Sequence, residues 1–175
     1  MTSVSDFLFI YYDKGIFIIN RNQFSASVSL DQEQPLDRPI KQFNSFIRYN
    51  NYDIAIFDLD DYLKSSFKVE SINSTRLSII SKLSLFSSNL KDILIERLFC
   101  NNSNLTDEYI AFSITSNSEI TPSPISRFKL LSKVLIPKQR ENGILSCSFH
   151  NSKIEYFIDL ESFIYRILEQ QEDNL

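Results

Sequence analysis

Gly15 and Gly143 are the only glycines among 175 residues, where average usage of about 7% would supply roughly twelve. Loops that wrap a phosphate, of the dinucleotide or the P-loop kind, need several glycines within one turn so that the backbone can approach closely and take positive φ. Neither kind can be built here. Tight turns fall instead to residues such as Asn, which tolerates the left-handed conformation.

The remaining composition narrows the class further. A hydrophobic content of 43%, including 15 Phe, describes a folded chain with a sizeable core. The net charge of −4 and the pI of about 5.1, with no long run of basic residues, give no footprint for nucleic acid. The sequence opens without a basic leader, and no apolar run approaches the roughly 20 residues that span a bilayer, so a cytoplasmic protein without direct membrane insertion is expected. Cys100 and Cys147 lie far apart without a CxxC pair and are expected to be buried, reduced thiols. His150 is the sole histidine and falls in a turn, so no triad or His-based metal centre is expected. No catalytic, metal or cofactor-binding residue is assigned.

Along the chain, hairpin signals dominate. Phe7 to Tyr12 and Ile16 to Ile19 flank the turn Asp13-Lys14-Gly15, and Phe24, Ala26, Val28 and Leu30 alternate with serines as a half-buried strand does. Asp31 to Pro39, with two prolines, reads as a loop. Phe43 to Tyr49 and Tyr52 to Phe57 form a hairpin across Asn50-Asn51, followed by a short helix capped by Asp58. Leu77 to Phe86 has mixed strand character, Asn89 to Phe99 is helical with Ser88 or Asn89 as its cap, and Tyr109 to Thr115 is a strand. Thr121 to Pro124 reads as a loop, while Phe128 to Ile136 fits either type of element. A last hairpin, Ile144 to Phe149 and Ile154 to Ile158, leads to an amphipathic helix over Leu160 to Gln170 capped by Asp159.

An internal echo organises these pieces. Tyr52 to Leu63 and Lys153 to Ile164 share one pattern, a strand running into Asp-Leu-acid and then a helix, at a spacing of 101 positions. Two small β units, burying their open faces against each other or against their own curled sheets, follow from it, giving a mainly β fold of two linked barrels. Within the first copy, Ile54-Ala55-Ile56-Phe57-Asp58-Leu59-Asp60 resembles the nucleophile motif of haloacid-dehalogenase-type phosphatases, which implies a Mg²⁺-dependent enzyme using Asp58 and Asp60. Asp61 and Tyr62 replace the Gly and Thr of that motif, and helix capping explains Asp58 and Asp159 by one cause.

A second resemblance covers the chain in order. Ser45 to Leu59, two apolar strands joined at Asn50-Asn51 and ending in Asp-Leu, is similar to the signature hairpin of CheW-like domains; the Phe7-to-Ile16 region and Ile144 to Ile164 resemble the family's opening hairpin and its closing hairpin and helix. Ser45 and Asn51 replace usual glycines, Asn50 the usual turn Arg, Arg48 the usual Asn, and Ala55 the usual Pro. The resemblance implies a single domain over 1–175 made of two SH3-like β-barrels, with a helical insertion near 87–105. It also implies a non-enzymatic adaptor joining the cytoplasmic helices of chemoreceptors to the regulatory domain of a chemotaxis histidine kinase. Arg48, Tyr49, Asn50 and Asn51 are then the candidate partner-binding residues. A CheW-like scaffold serving something other than chemotaxis shares the same fold.

Overall fold

The hairpins expected from the sequence assemble, in the computed structural model, into two six-stranded sheets. The structure describes residues 4–29, 33–72, 75–115, 117–127, 129–130 and 143–169. The strands are β1 (Val4–Tyr11), β2 (Gly15–Asn20), β3 (Ala26–Ser29), β4 (Gln34–Ile40), β5 (Phe43–Tyr49) and β6 (Tyr52–Asp58), then helix α1 (Leu59–Phe67) and β7 (Arg76–Lys82). Helix α2 (Ser88–Leu94) continues into a π-helical turn over Ile95–Phe99, and is followed by β8 (Tyr109–Thr115), β9 (Asn117–Pro124), β10 (Lys129–Leu130), β11 (Ile144–His150), β12 (Lys153–Ile158) and helix α3 (Leu160–Glu169).

Two compact units result. The middle unit comprises Phe24–Lys68 and Thr75–Thr115; the split unit takes the residues before Phe24, Val69–Ser74, and those after Thr115. Strand order is β3-β7-β8-β6-β5-β4 in the middle unit and β9-β1-β2-β12-β11-β10 in the split unit. In these orders the strands correspond one to one. The third and fourth pair in parallel, β8 with β6 and β2 with β12, and every other neighbour is antiparallel. The split unit is thus a circular permutation of the middle one: its closing hairpin, equivalent to β7–β8, is β1–β2, from the other side of the middle unit in sequence.

The echo of 101 positions is structural to the level of single bonds. Both hairpins carry a bulge, between Phe43 and Ser45 and between Ile144 and Ser146. Both turn through two consecutive residues of positive φ, Asn50 (48°) and Asn51 (67°), then Asn151 (48°) and Ser152 (64°), as a type I′ hairpin needs. Asp58 N donates to Gln42 O at 2.9 Å and Asp159 N to Gly143 O at 3.0 Å. Each acid caps the helix that follows, Asp58 accepting from Asp61 N at 3.0 Å and Asp159 from Ser162 N at 3.1 Å.

Each unit has its own apolar centre. In the middle unit Ile47, Ile54, Ile56, Ile80 and Ala111 cluster on one face of the sheet, while on the other face Phe57 packs against Phe43 and Phe112 at centroid distances of 5.3 and 5.7 Å. In the split unit Phe7, Phe9, Ile16 and Ile18 form one cluster. On its other face Phe17 meets Tyr12 and Tyr156, and α3 buries Leu160, Phe163, Ile164, Ile167 and Leu168 at helical spacing. Gly143 is required where it stands: φ is +68° and a Cβ there would lie 2.6 Å from the Phe163 ring.

Several expectations are corrected. Of the stretches read as loops on account of their prolines, Gln34 to Pro39 belongs to strand β4 and Thr121 to Pro124 to strand β9, while Asp31 lies outside the described residues. Both are edge strands with one neighbour each, where a proline's missing N–H breaks no second ladder. Ser87, rather than Ser88 or Asn89, caps α2, its hydroxyl accepting from Leu90 N at 3.3 Å. The helix also does not run uniformly to Phe99, since Cys100 N bonds Ile95 O in the π pattern at 2.9 Å. Neither cysteine is buried: Cys100 is exposed just past that turn and Cys147 is partly exposed on β11. Of Phe128 to Ile136, only Lys129–Leu130 lies among the described residues with a settled type, as β10.

Candidate partner-binding hairpin

The β5–β6 turn holds the four residues singled out in the sequence. Asn50 and Asn51 are exposed at its tip, in the left-handed conformation that Asn adopts at small cost. Tyr49 is partly buried and packs on the middle unit's apolar cluster, so its ring anchors the turn rather than standing free of it. Arg48 is exposed and makes a bidentate pair across the hairpin with Asp53, Nε to Oδ1 at 2.8 Å and Nη2 to Oδ2 at 3.1 Å. That hydrogen bonding, with the charge of Asp53, raises the guanidinium's affinity for its proton still further. Planar two-point pairing fixes the arginine's direction even at a solvent-exposed site.

Residues remote in sequence complete this surface. Tyr52 is 39% exposed and its ring lies 5.5 Å from that of Tyr109. The backbone of Thr106 donates to Asp53 O at 2.9 Å, which places Asn104, Leu105 and Thr106 beside Arg48, Asn51 and Tyr52 around one open recess. The sequence reading did not find Tyr52, Asp53 or the 104–106 segment, because nothing local links them. The 101-residue echo was the signal that could have extended the search, since it maps Arg48 and Asp53 onto Phe149 and Ile154, another cross-strand pair. Those two are exposed apolar residues at 73% and 41%, beside His150, which is exposed but ends strand β11 rather than lying in the turn expected for it.

The two acids of the phosphatase-like motif serve the helix. Beyond capping α1, Asp58 Oδ1 accepts from Ser113 Oγ at 3.1 Å and Oδ2 lies 3.6 Å from Arg76, while Asp60 pairs with Lys64 at 2.7 Å. Among the described residues no three His, Cys, Asp or Glu side chains converge as a metal site would need. No helix among them is long and apolar enough to cross a membrane.

No family model and no protein of curated function matches the chain. Its structure does match. The crystal structure of the scaffolding protein CheW from Thermoanaerobacter tengcongensis superposes over 94% of this chain and 90% of that one, with a TM-score of 0.63 at 10% identity. This chain has the CheW fold. At that identity the likeness lies in the mainly β architecture of two mixed sheets, and the CheW-like hairpin of Ser45 to Leu59 occupies β5, β6 and the start of α1 within it.

Proposed function

We propose that this protein is a non-enzymatic signalling adaptor, coupling chemoreceptors to a chemotaxis histidine kinase in the cytoplasm through protein contacts alone. The observation that carries the reading is the likeness to a scaffolding protein over nearly the whole of both chains. The β5–β6 hairpin supports it as the contact surface. A type I′ turn with an anchored Tyr49 and a paired Arg48 presents Asn50 and Asn51 in one geometry, so little ordering entropy opposes docking. The partners are the regulatory domain of the kinase and the cytoplasmic helices of the receptors. The whole of 1–175 is one CheW-like domain, and residues 87–105, which contain α2 and the π turn, are an insertion in it.

Calorimetric titration against the regulatory region of the chemotaxis kinase from the same organism tests this, with Tyr49→Ala and Asn50→Asp as comparisons. Micromolar binding weakened at least fivefold by each change is expected. Absence of heat at tens of micromolar, with protein shown to be folded, overturns the kinase as partner; full-strength binding by both variants overturns the hairpin as the surface.

A further inference from the structure

The middle and split units can be compared position by position, because registers, bulges, turns and cap acids of the two hairpins coincide at the 101-residue offset. On the inner face of the β11–β12 hairpin lie Ser148, Glu155 and Phe157, where the middle unit has Ile47, Ile54 and Ile56. Glu155 is 1% exposed, and its carboxylate accepts from the Ser148 hydroxyl. Alternation along the strands then puts Cys147, Phe149, Ile154 and Tyr156 together on the outer face. Phe149 and Ile154 are direct partners across the hairpin, 73% and 41% exposed, and the next pair, Cys147 and Tyr156, is partly exposed.

At the same four positions the middle unit has Phe46, Arg48, Asp53 and Ala55, with Arg48 and Asp53 joined by two hydrogen bonds. The hairpin therefore folds with an ion pair where the split unit holds Phe149 and Ile154. Those two side chains are no requirement of the sheet, and they leave in water an apolar surface that the sister hairpin does not.

The charges and the area of this face say what covers it. The two charged residues nearest in sequence are turned away: Lys153 donates its ammonium to Tyr12 O at 3.0 Å, and Glu155 is buried. On the far side of Ile154 the β2 neighbour is Gly15, which adds no side chain. An apolar face of this kind is complementary to itself, whereas a charged one calls for a partner of opposite sign. Phe149 exposes about 110–180 Å² of the roughly 150–250 Å² of an aromatic side chain, and with its three neighbours the face offers on the order of 250 Å². Including His150, Asn151 and Ser152, a contact centred there covers about 500 Å² on each side, short of the roughly 800 Å² on each side of a stable interface. A twofold contact uses every group twice, so a face this small serves best between identical chains.

We infer that two copies of this chain associate through the outer face of the β11–β12 hairpin about a twofold axis, Phe149 of each copy lying against Ile154 of the other. The limited area makes the dimer weak, with Kd on the order of 0.1 mM. The face is separate from the β5–β6 hairpin, and the inference does not depend on the adaptor reading.

Sedimentation equilibrium of the full chain from about 10 µM to about 1 mM tests it, a range that brackets the expected Kd. The variant is the double change Phe149→Arg and Ile154→Asp, which gives the split hairpin the sister unit's own pair at those positions. The parent's average mass should rise from that of one chain towards that of two, and the double variant should associate at least tenfold more weakly while keeping a cooperative urea transition. A parent that stays a single chain at about 1 mM overturns the second copy as occupant and leaves the face to a different protein. Equal association by parent and variant overturns the face as the contact. Should the double variant fail to fold, Phe149→Ser takes its place: at least fivefold weaker association is expected, and an unchanged Kd refutes the inference.

Discussion

Asn102 offers the sharpest test of how the segment after α2 is tied to the sheet. Its side chain is 8% exposed and makes three hydrogen bonds: Nδ2 donates to Leu98 O at 3.0 Å and to Arg38 O at 3.1 Å, and Oδ1 accepts from Arg38 N at 3.2 Å. The last two imitate a strand partner for the outer side of edge strand β4. In Asn102→Ala the Arg38 groups, on an exposed residue, recover water, at about 0.5 kcal/mol each, whereas the buried Leu98 carbonyl is orphaned at about 1–3 kcal/mol. The sum is about 2–4 kcal/mol, or roughly 4–16 °C in Tm for a chain of this size. Urea unfolding measures the total, and amide exchange at Arg38 isolates the edge, where protection should fall in the variant. Asn102→Asp keeps the acceptor for Arg38 N but loses both donated bonds, so it should preserve more of the Arg38 protection than the stability. A loss below about 0.5 kcal/mol, or Arg38 exchange identical in parent and Asn102→Ala, would refute this assignment of the three bonds.

Three further outcomes follow from the same geometry. Asp58→Ala removes the α1 cap and the acceptor for the buried Ser113 hydroxyl and should cost about 1–2 kcal/mol in chemical unfolding, whereas Asp58→Asn, which can still cap, should cost less than about 1 kcal/mol. Gly143→Ala introduces a left-handed alanine against the Phe163 ring and should destabilise by about 2–4 kcal/mol, with near-ultraviolet dichroism reporting the disturbed aromatic packing. Burial, with a smaller contribution from Cys147, raises the pKa of Tyr156 above the ordinary phenol value. The stability this represents is therefore complete below about pH 10 and is lost as pH rises through the folded value. Ultraviolet titration should place the ionisation of Tyr156 above the ordinary phenol range, and Tyr156→Phe should reduce the late part of the titration by one tyrosine.

What could be read from the residues divides by the range of the interactions involved. Asn50-Asn51, Asp58 and Asp159 announce turn and caps because they act on backbone within three residues, and the structure places all of them as read. Pro35, Pro39, Pro122 and Pro124 misled because proline excludes a central strand but not an edge, and which strand is at an edge is a property of the whole sheet. The same limit applies at the candidate surface. Arg48 and Asn51 were legible as a turn, but their company with Asn104 to Thr106 depends on a backbone bond between Asp53 and Thr106 that no local pattern encodes. Glu155 sat unnoticed in an apolar run, since only its pairing with Ser148 and its match to Ile54 show that it points inward.

The permuted order of the split unit sets a schedule for synthesis. All six strands of the middle unit lie between Ala26 and Thr115, so its sheet can close while later residues are still being made. The β1–β2 hairpin is made first but finishes last. Its parallel neighbour is β12, with Gly15 waiting for Ile154, and until then one edge of β2 and the faces carrying Phe7, Phe9 and Phe17 lack their final cover. A nascent chain therefore holds an aromatic-rich hairpin without its final neighbours through most of translation.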